Sequence, residues 1–150
     1  MADQHIPVAG ALTGYGRTVA TNGWEVVVAV FYQTVAGFTQ IFAVSSQDQG
    51  ATWLAPVQIS TGSHNNINPV VVLDSNGDAY VAWVDVTAGK VVAVKGTFDW
   101  DPLDMIFVWG VPAAVSTSAA TNVYVTYGGT FWPALPDGVV VITYSSNPIS

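Results

Sequence analysis

Ten carboxylates, two histidines and a generous supply of aromatic rings are the side chains of this 150-residue chain that could do chemistry. Asp99-Trp100-Asp101-Pro102-Leu103-Asp104 sets three acids in one short stretch. They could offer oxygen ligands to calcium, though an acidic solvated loop explains them equally well. Asp85, Asp99, Asp101 and Asp104 are the acids available to a glycosidase, which needs two carboxyl groups across a sugar; nothing in their spacing pairs them. Asp85 closes an apolar run, where ligand contacts occur but plain polar strand ends are commoner. Asp74-Ser75-Asn76-Gly77-Asp78 begins like a calcium loop, yet its glycine arrives two positions too early and a hairpin turn accounts for every residue. His5 and His64 would need to meet, with further ligands, to hold zinc. Cysteine is absent, so the chain offers no disulfide and no thiolate site.

The aromatics make a better ligand surface. Sugar rings stack on exposed Trp and Tyr beside Asn, Gln and Asp, and Trp24, Trp83, Trp109 and Trp132 with Tyr15 and Tyr127 exceed what a small all-β core requires. Trp83 and Trp109 sit where packing would place them. Trp24, next to a turn, and Trp132, in Gly-Gly-Thr-Phe-Trp-Pro, are harder to assign to a core, although exposed tryptophans also mark interfaces. The candidate ligand set is therefore Trp24, Trp132, Tyr127, Asp85 and Asn65, the last from the polar loop His64-Asn65-Asn66-Ile67-Asn68.

The elements that must carry these groups are strands. Charged residues are only 9% of the chain and hydrophobic ones 51%, a balance that excludes a disordered chain. A net charge of −7, with Arg17, Lys90 and Lys95 as the only Lys and Arg, cannot neutralise a run of phosphates. Nucleic acid and anionic membranes are poor partners for such a chain, and neither nucleic-acid binding nor membrane insertion is expected. No apolar run reaches the ~20 residues of a membrane helix, and the N-terminus lacks a signal peptide's basic start and apolar stretch. A surface this poor in charge tends to associate.

Laid against itself, the chain repeats with a unit of about fifty residues. Pro7-Val8-Ala9-Gly10-Ala11-Leu12-Thr13-Gly14 returns as Pro56-Val57-Gln58-Ile59-Ser60-Thr61-Gly62 and as Pro112-Ala113-Ala114-Val115-Ser116-Thr117. Asn22-Gly23, Asn76-Gly77 and Asp137-Gly138 each precede an apolar strand, at Val26–Tyr32, Ala79–Asp85 and Val139–Tyr144. These dipeptides suit type I′ hairpin turns. Near-continuous apolar strands predict sheets covered on both faces. Third strands follow at Thr39–Ser45 and Lys90–Thr97, and the proline segments supply fourth, outer strands. The expected fold is one all-β domain over 1–150 of propeller-like, four-stranded antiparallel blades, with units near 5–46, 54–98 and 110–146. The last is incomplete, because six residues after Tyr144 cannot make a third strand. Oligomerisation or strand exchange would complete it, since a closed propeller needs about four blades or more. A helical turn is the most that 101–107 could form.

Between the third and fourth strands of the first unit stands Ser46-Gln47-Asp48-Gln49-Gly50-Ala51-Thr52-Trp53. Ser46, Asp48, Gly50, Thr52 and Trp53 match the S-x-D-x-G-x-T-W pattern, and the chain resembles the Asp-box, sialidase-type β-propellers. Thr97-Phe98-Asp99-Trp100-Asp101-Pro102 keeps an acid and an aromatic at the corresponding place in the second unit but lacks the glycine. Asp48 can accept backbone N–H groups, Gly50 permits positive φ, Thr52 adds a hydroxyl and Trp53 anchors the turn. The resemblance implies that the box steadies a turn remote from any active site. It also implies what sialidase chemistry needs: three arginines, a tyrosine with a glutamate partner, and an acid/base aspartate. With one arginine, Arg17, and one glutamate, Glu25, the chain does not meet that need. The expectation is a non-catalytic binding module for glycans, working as a homo-oligomer at an extracellular or virion surface. The alternative is a structural protein of a virion or surface layer, with a glycoside hydrolase fragment a distant third. No cofactor is expected, calcium on Asp99, Asp101 and Asp104 being the weaker option.

Overall fold

The computed structural model describes residues 18–99, 107–118, 120–128 and 139–145. These form antiparallel sheets and no helix. Sheet I comprises β1 (Val19–Thr21), β2 (Val27–Val35), β3 (Phe38–Ser46) and β4 (Val57–Gln58), in that spatial order. Sheet II comprises β5 (Asn66–Leu73), β6 (Ala79–Asp85), β7 (Lys90–Phe98) and β8 (Phe107–Trp109), with β9 (Ala113–Ala114) also on β7. Sheet III is the pair β10 (Asn122–Gly128) and β11 (Val139–Ser145). None of the sheets closes into a barrel. No helix among the described residues is long and apolar enough to cross a membrane.

The apolar runs are explained by burial on both faces. In β6, Val81 and Trp83 point towards sheet I and join Val28, Val30, Ile41 and Ala43 in one core cluster. Ala82 and Val84 point the other way and meet Val123 of β10 in a second. In β2, Ala29 and Phe31 alternate with Val28 and Val30 and pack with Val44 in a third. A strand enclosed on both sides must be apolar at every position. Each fully buried Val, Ile or Phe among them contributes about 1.5–3 kcal/mol. Sheet II thus lies between sheets I and III.

The hairpins differ from the type I′ expectation. Gly23 and Gly77 have positive φ, but Asn22 and Asn76 do not. The hairpin with both turn residues at positive φ is Ala36-Gly37, which closes β2 onto β3 with Val35 opposite Phe38; Gln49-Gly50 shares those signs in the turn after β3. Asn22 and Asp74 are the equivalent residues instead. Each accepts two backbone N–H groups through its side-chain oxygen, Asn22 from Trp24 and Val26, Asp74 from Asn76 and Asp78. Each also donates its own N–H to the carbonyl of Val26 or Asp78. Side-chain capping, which spans more residues than a tight turn, displaced the dipeptide rule. Asp137-Gly138 and Pro7–Gly14 lie outside the described residues.

The two described proline segments do make outer strands, held by the same device twice. Ser60 Oγ accepts the Ile41 N–H, and Ser116 Oγ accepts the Val91 N–H. Ile59 N–H and Val115 N–H then bond Ile41 and Val91 carbonyls. Sheet II gains a fifth strand, β8, which opens on Phe107; the rest of the stretch expected to allow a helical turn, 101–106, lies outside the described residues. Trp109 of β8 pairs with Gly96 of β7, while Ala113 pairs with Ala93 further along. One outer strand position is therefore split in two. Pro112 has no N–H to give the ladder, so Val111-Pro112 leaves it, and Val111 is almost fully exposed.

Thr39, at the start of β3, bonds Asn65 and Asn66 at the start of β5. The stack therefore has two ends. One carries Ala36-Gly37, the 61–65 connection and the β6–β7 loop. The other carries the β1–β2 loop, the β5–β6 loop and the Ser46–Trp53 turn.

Candidate functional site

Trp24 is 79% exposed, yet its loop is fixed. Asn22 Oδ1 accepts the Trp24 and Val26 N–H groups at 3.0 and 3.2 Å. Antiparallel pairing of β2 with β3 puts Val27 opposite Ser46, which brings the Ser46–Trp53 turn alongside. Gln49 donates its N–H to the Glu25 carbonyl at 2.9 Å. Two clefts flank the indole. One, of about 340 Å³, is lined by Asn22, Trp24, Glu25, Ser75 and Asn76. The other, of about 510 Å³, has Trp24, Gly23, Thr21 and Gln49 in its wall.

The Ser46–Trp53 turn supports this surface through Gln49. Asp48 Oδ1 accepts the Thr52 N–H at 2.7 Å and the Ser46 hydroxyl at 2.8 Å, and Oδ2 accepts the Thr52 hydroxyl at 2.7 Å. The Thr52 backbone bond, with the Thr52 and Ser46 hydroxyls, holds the Asp48 carboxyl below its ordinary pKa. Ser46 Oγ also accepts the Gly50 N–H at 2.7 Å. Gly50 adopts φ +90°. A Cβ there would meet Trp53 at 3.6 Å, ordinary contact, so conformation and not space requires the glycine. Trp53 packs on the Ala29–Phe31–Val44 cluster, and its Nε1 is buried without a hydrogen-bond partner.

This end is acidic. Glu25, Asp48, Asp74, Asp78 and Asp99 all belong to it, and among the described residues its one cation is Lys95. Asp78 holds that ammonium at 2.7 Å and raises its pKa. Lys95 also lies 5.4 Å from the Tyr80 ring centroid.

The opposite end holds a smaller cleft of about 190 Å³, walled in part by Thr61, His64, Asn66, Trp83 and Asp85. Asp85 is buried, and both its oxygens are engaged. Oδ1 accepts the Ala88 N–H at 2.8 Å, and Oδ2 lies 2.6 Å from His64 Nδ1. A carboxylate can only accept, so Nδ1 donates the proton of this bond. Asn66 Oδ1 accepts Trp83 Nε1–H at 2.8 Å. Buried Gln40 ties the loop down by donating to the Gly62 and His64 carbonyls and accepting the Ser60 hydroxyl.

The candidate ligand residues do not converge. Trp24 stands at one end, and Asp85 and Asn65 at the other, about 23 Å away by the rise of β3. Asn65 Oδ1 is committed to the Thr39 N–H, and Asp85 is a clasp and not an open carboxylate. The backbone of Tyr127 pairs with Val140; its side chain, and Trp132 entirely, lie outside the described residues. Of the calcium candidates, Asp101 and Asp104 also lie outside, as do His5 and Arg17, and the described residues hold no cluster of metal ligands. Sequence reasoning overlooked Gln40, whose signal was a polar residue beside Ile41 in an apolar strand. It also missed the His64–Asp85 pair, which no local spacing announces. No protein-family model, curated protein or solved structure matches the chain.

Proposed function

We propose that this chain is a non-catalytic recognition module of Asp-box propeller type, its sheets acting as blades, and that it binds glycans on the Trp24 surface. The observation that carries this reading is the indole itself, exposed to 79% but mounted on a capped loop between two clefts. A rigid, exposed aromatic face costs little entropy to engage and offers an apolar plane to the C–H face of a sugar ring. Asn22, Asn76, Ser75 and Gln49 beside it supply hydrogen-bond donors and acceptors. Catalysis by a carboxylate pair is disfavoured, since Glu25 is the single acid among the described residues lining the two clefts. A glycan array followed by calorimetry tests the reading. Wild type should bind at least one glycan class, and Trp24→Ala should abolish that binding without changing the melting temperature. Silence of the wild type across the array would defeat the proposal.

A second reading, an assembly role in which copies or partners complete the stack, is favoured by sheet III. Its outward face presents Tyr124 and Val141, 46% and 43% exposed.

A further inference from the structure

We infer that the saccharide held at Trp24 carries a cationic amine, as glucosamine-type units do, and is neither N-acetylated nor acidic. The inference rests on the glycan reading above and adds the ligand's charge. Glu25 lines the same cleft as Trp24, and the described residues of the two cleft walls include no Lys or Arg. An ammonium set between them gains attraction from the indole face and a charge-assisted hydrogen bond from the carboxylate. Asp74 and Asp78 begin and end the neighbouring loop whose Ser75 and Asn76 complete the wall. Asp48 and Asp99 add negative potential at the same end. Lys95, the one ammonium of that end among the described residues, is already paired with Asp78. The field therefore draws cations in and repels carboxylated or sulfated sugars.

The test is calorimetry of the full chain with four probes of equal length. They are a glucosamine tetramer, its fully N-acetylated counterpart, a neutral glucose tetramer and tetralysine. At low salt the glucosamine tetramer should bind about tenfold tighter than the neutral and acetylated ones, a difference of ~1.4 kcal/mol. Raising ionic strength from about 0.05 to about 0.5 M should shrink that margin, because screening shortens the Debye length well below ~10 Å. Glu25→Gln should bring the glucosamine tetramer level with the neutral one. Equal or tighter binding of the neutral or acetylated tetramer, or a preference that survives Glu25→Gln, overturns the inference and leaves the glycan reading standing. Tetralysine matching the glucosamine tetramer overturns it too, by showing that charge alone suffices. If no saccharide binds, the glycan reading itself has failed.

Discussion

Asp48 accepts from Ser46 and from both polar groups of Thr52, and through the turn so formed the Gln49 N–H reaches Glu25. The effect of acid follows from the direction of its pKa. A carboxyl whose folded pKa lies below its unfolded value stabilises the fold above the unfolded value, and that contribution is lost as pH falls through the folded one. The ordinary value is 3.8. Wild type should therefore lose melting temperature between about pH 5 and pH 2, and Asp48→Asn should start lower and lose less over that window. Parallel pH profiles for the two proteins would show that Asp48 contributes no such term. The box residues were legible from sequence because all their bonds fall within a few residues. The Glu25 partner was not, because only the β2–β3 register brings it there.

At the scale of elements, Gln40 joins β3 to the connection that enters β5. It satisfies two loop carbonyls and a buried hydroxyl at once. Gln40→Leu removes these bonds without shortening the side chain much, and should cost about 1–3 kcal/mol. Amide exchange in 61–66 should accelerate while the Trp24 loop stays protected. Exchange unchanged in that stretch would mean that the Asn65 and Asn66 bonds to Thr39 suffice alone. Strand positions were readable from the repeating apolar runs. The split of the outer strand into β8 and β9 was not, because Pro112 reads as a strand start until its missing N–H is set against the β7 ladder.

At the scale of the molecule, sheet II is covered on both faces, and sheet III shows one face to solvent. Direct cross-strand partners share a face, so Tyr124 with Thr143 and Thr126 with Val141 line the exposed side. Their β-branched and aromatic character suits a further sheet laid on top. If copies complete the stack through this face, light scattering on wild type should give an oligomer mass. A Tyr124→Asp, Val141→Asp double variant should then run as a folded monomer. A monomeric wild type would remove the assembly reading and leave the Trp24 site intact.

The sequence by itself determined the all-β class, the recurring strand, turn and proline segments, and the Ser46–Trp53 turn, because each is written in local alternation or in bonds between near neighbours. Tertiary structure decided which side chains meet. It joined His64 to Asp85, set Gln40 under a distant loop, parted Trp24 from Asp85 and Asn65, and put Glu25 and the Ser46–Trp53 turn beside one tryptophan. Those meetings depend on strand register and on one sheet packing against the next, and no periodicity along a single strand encodes either.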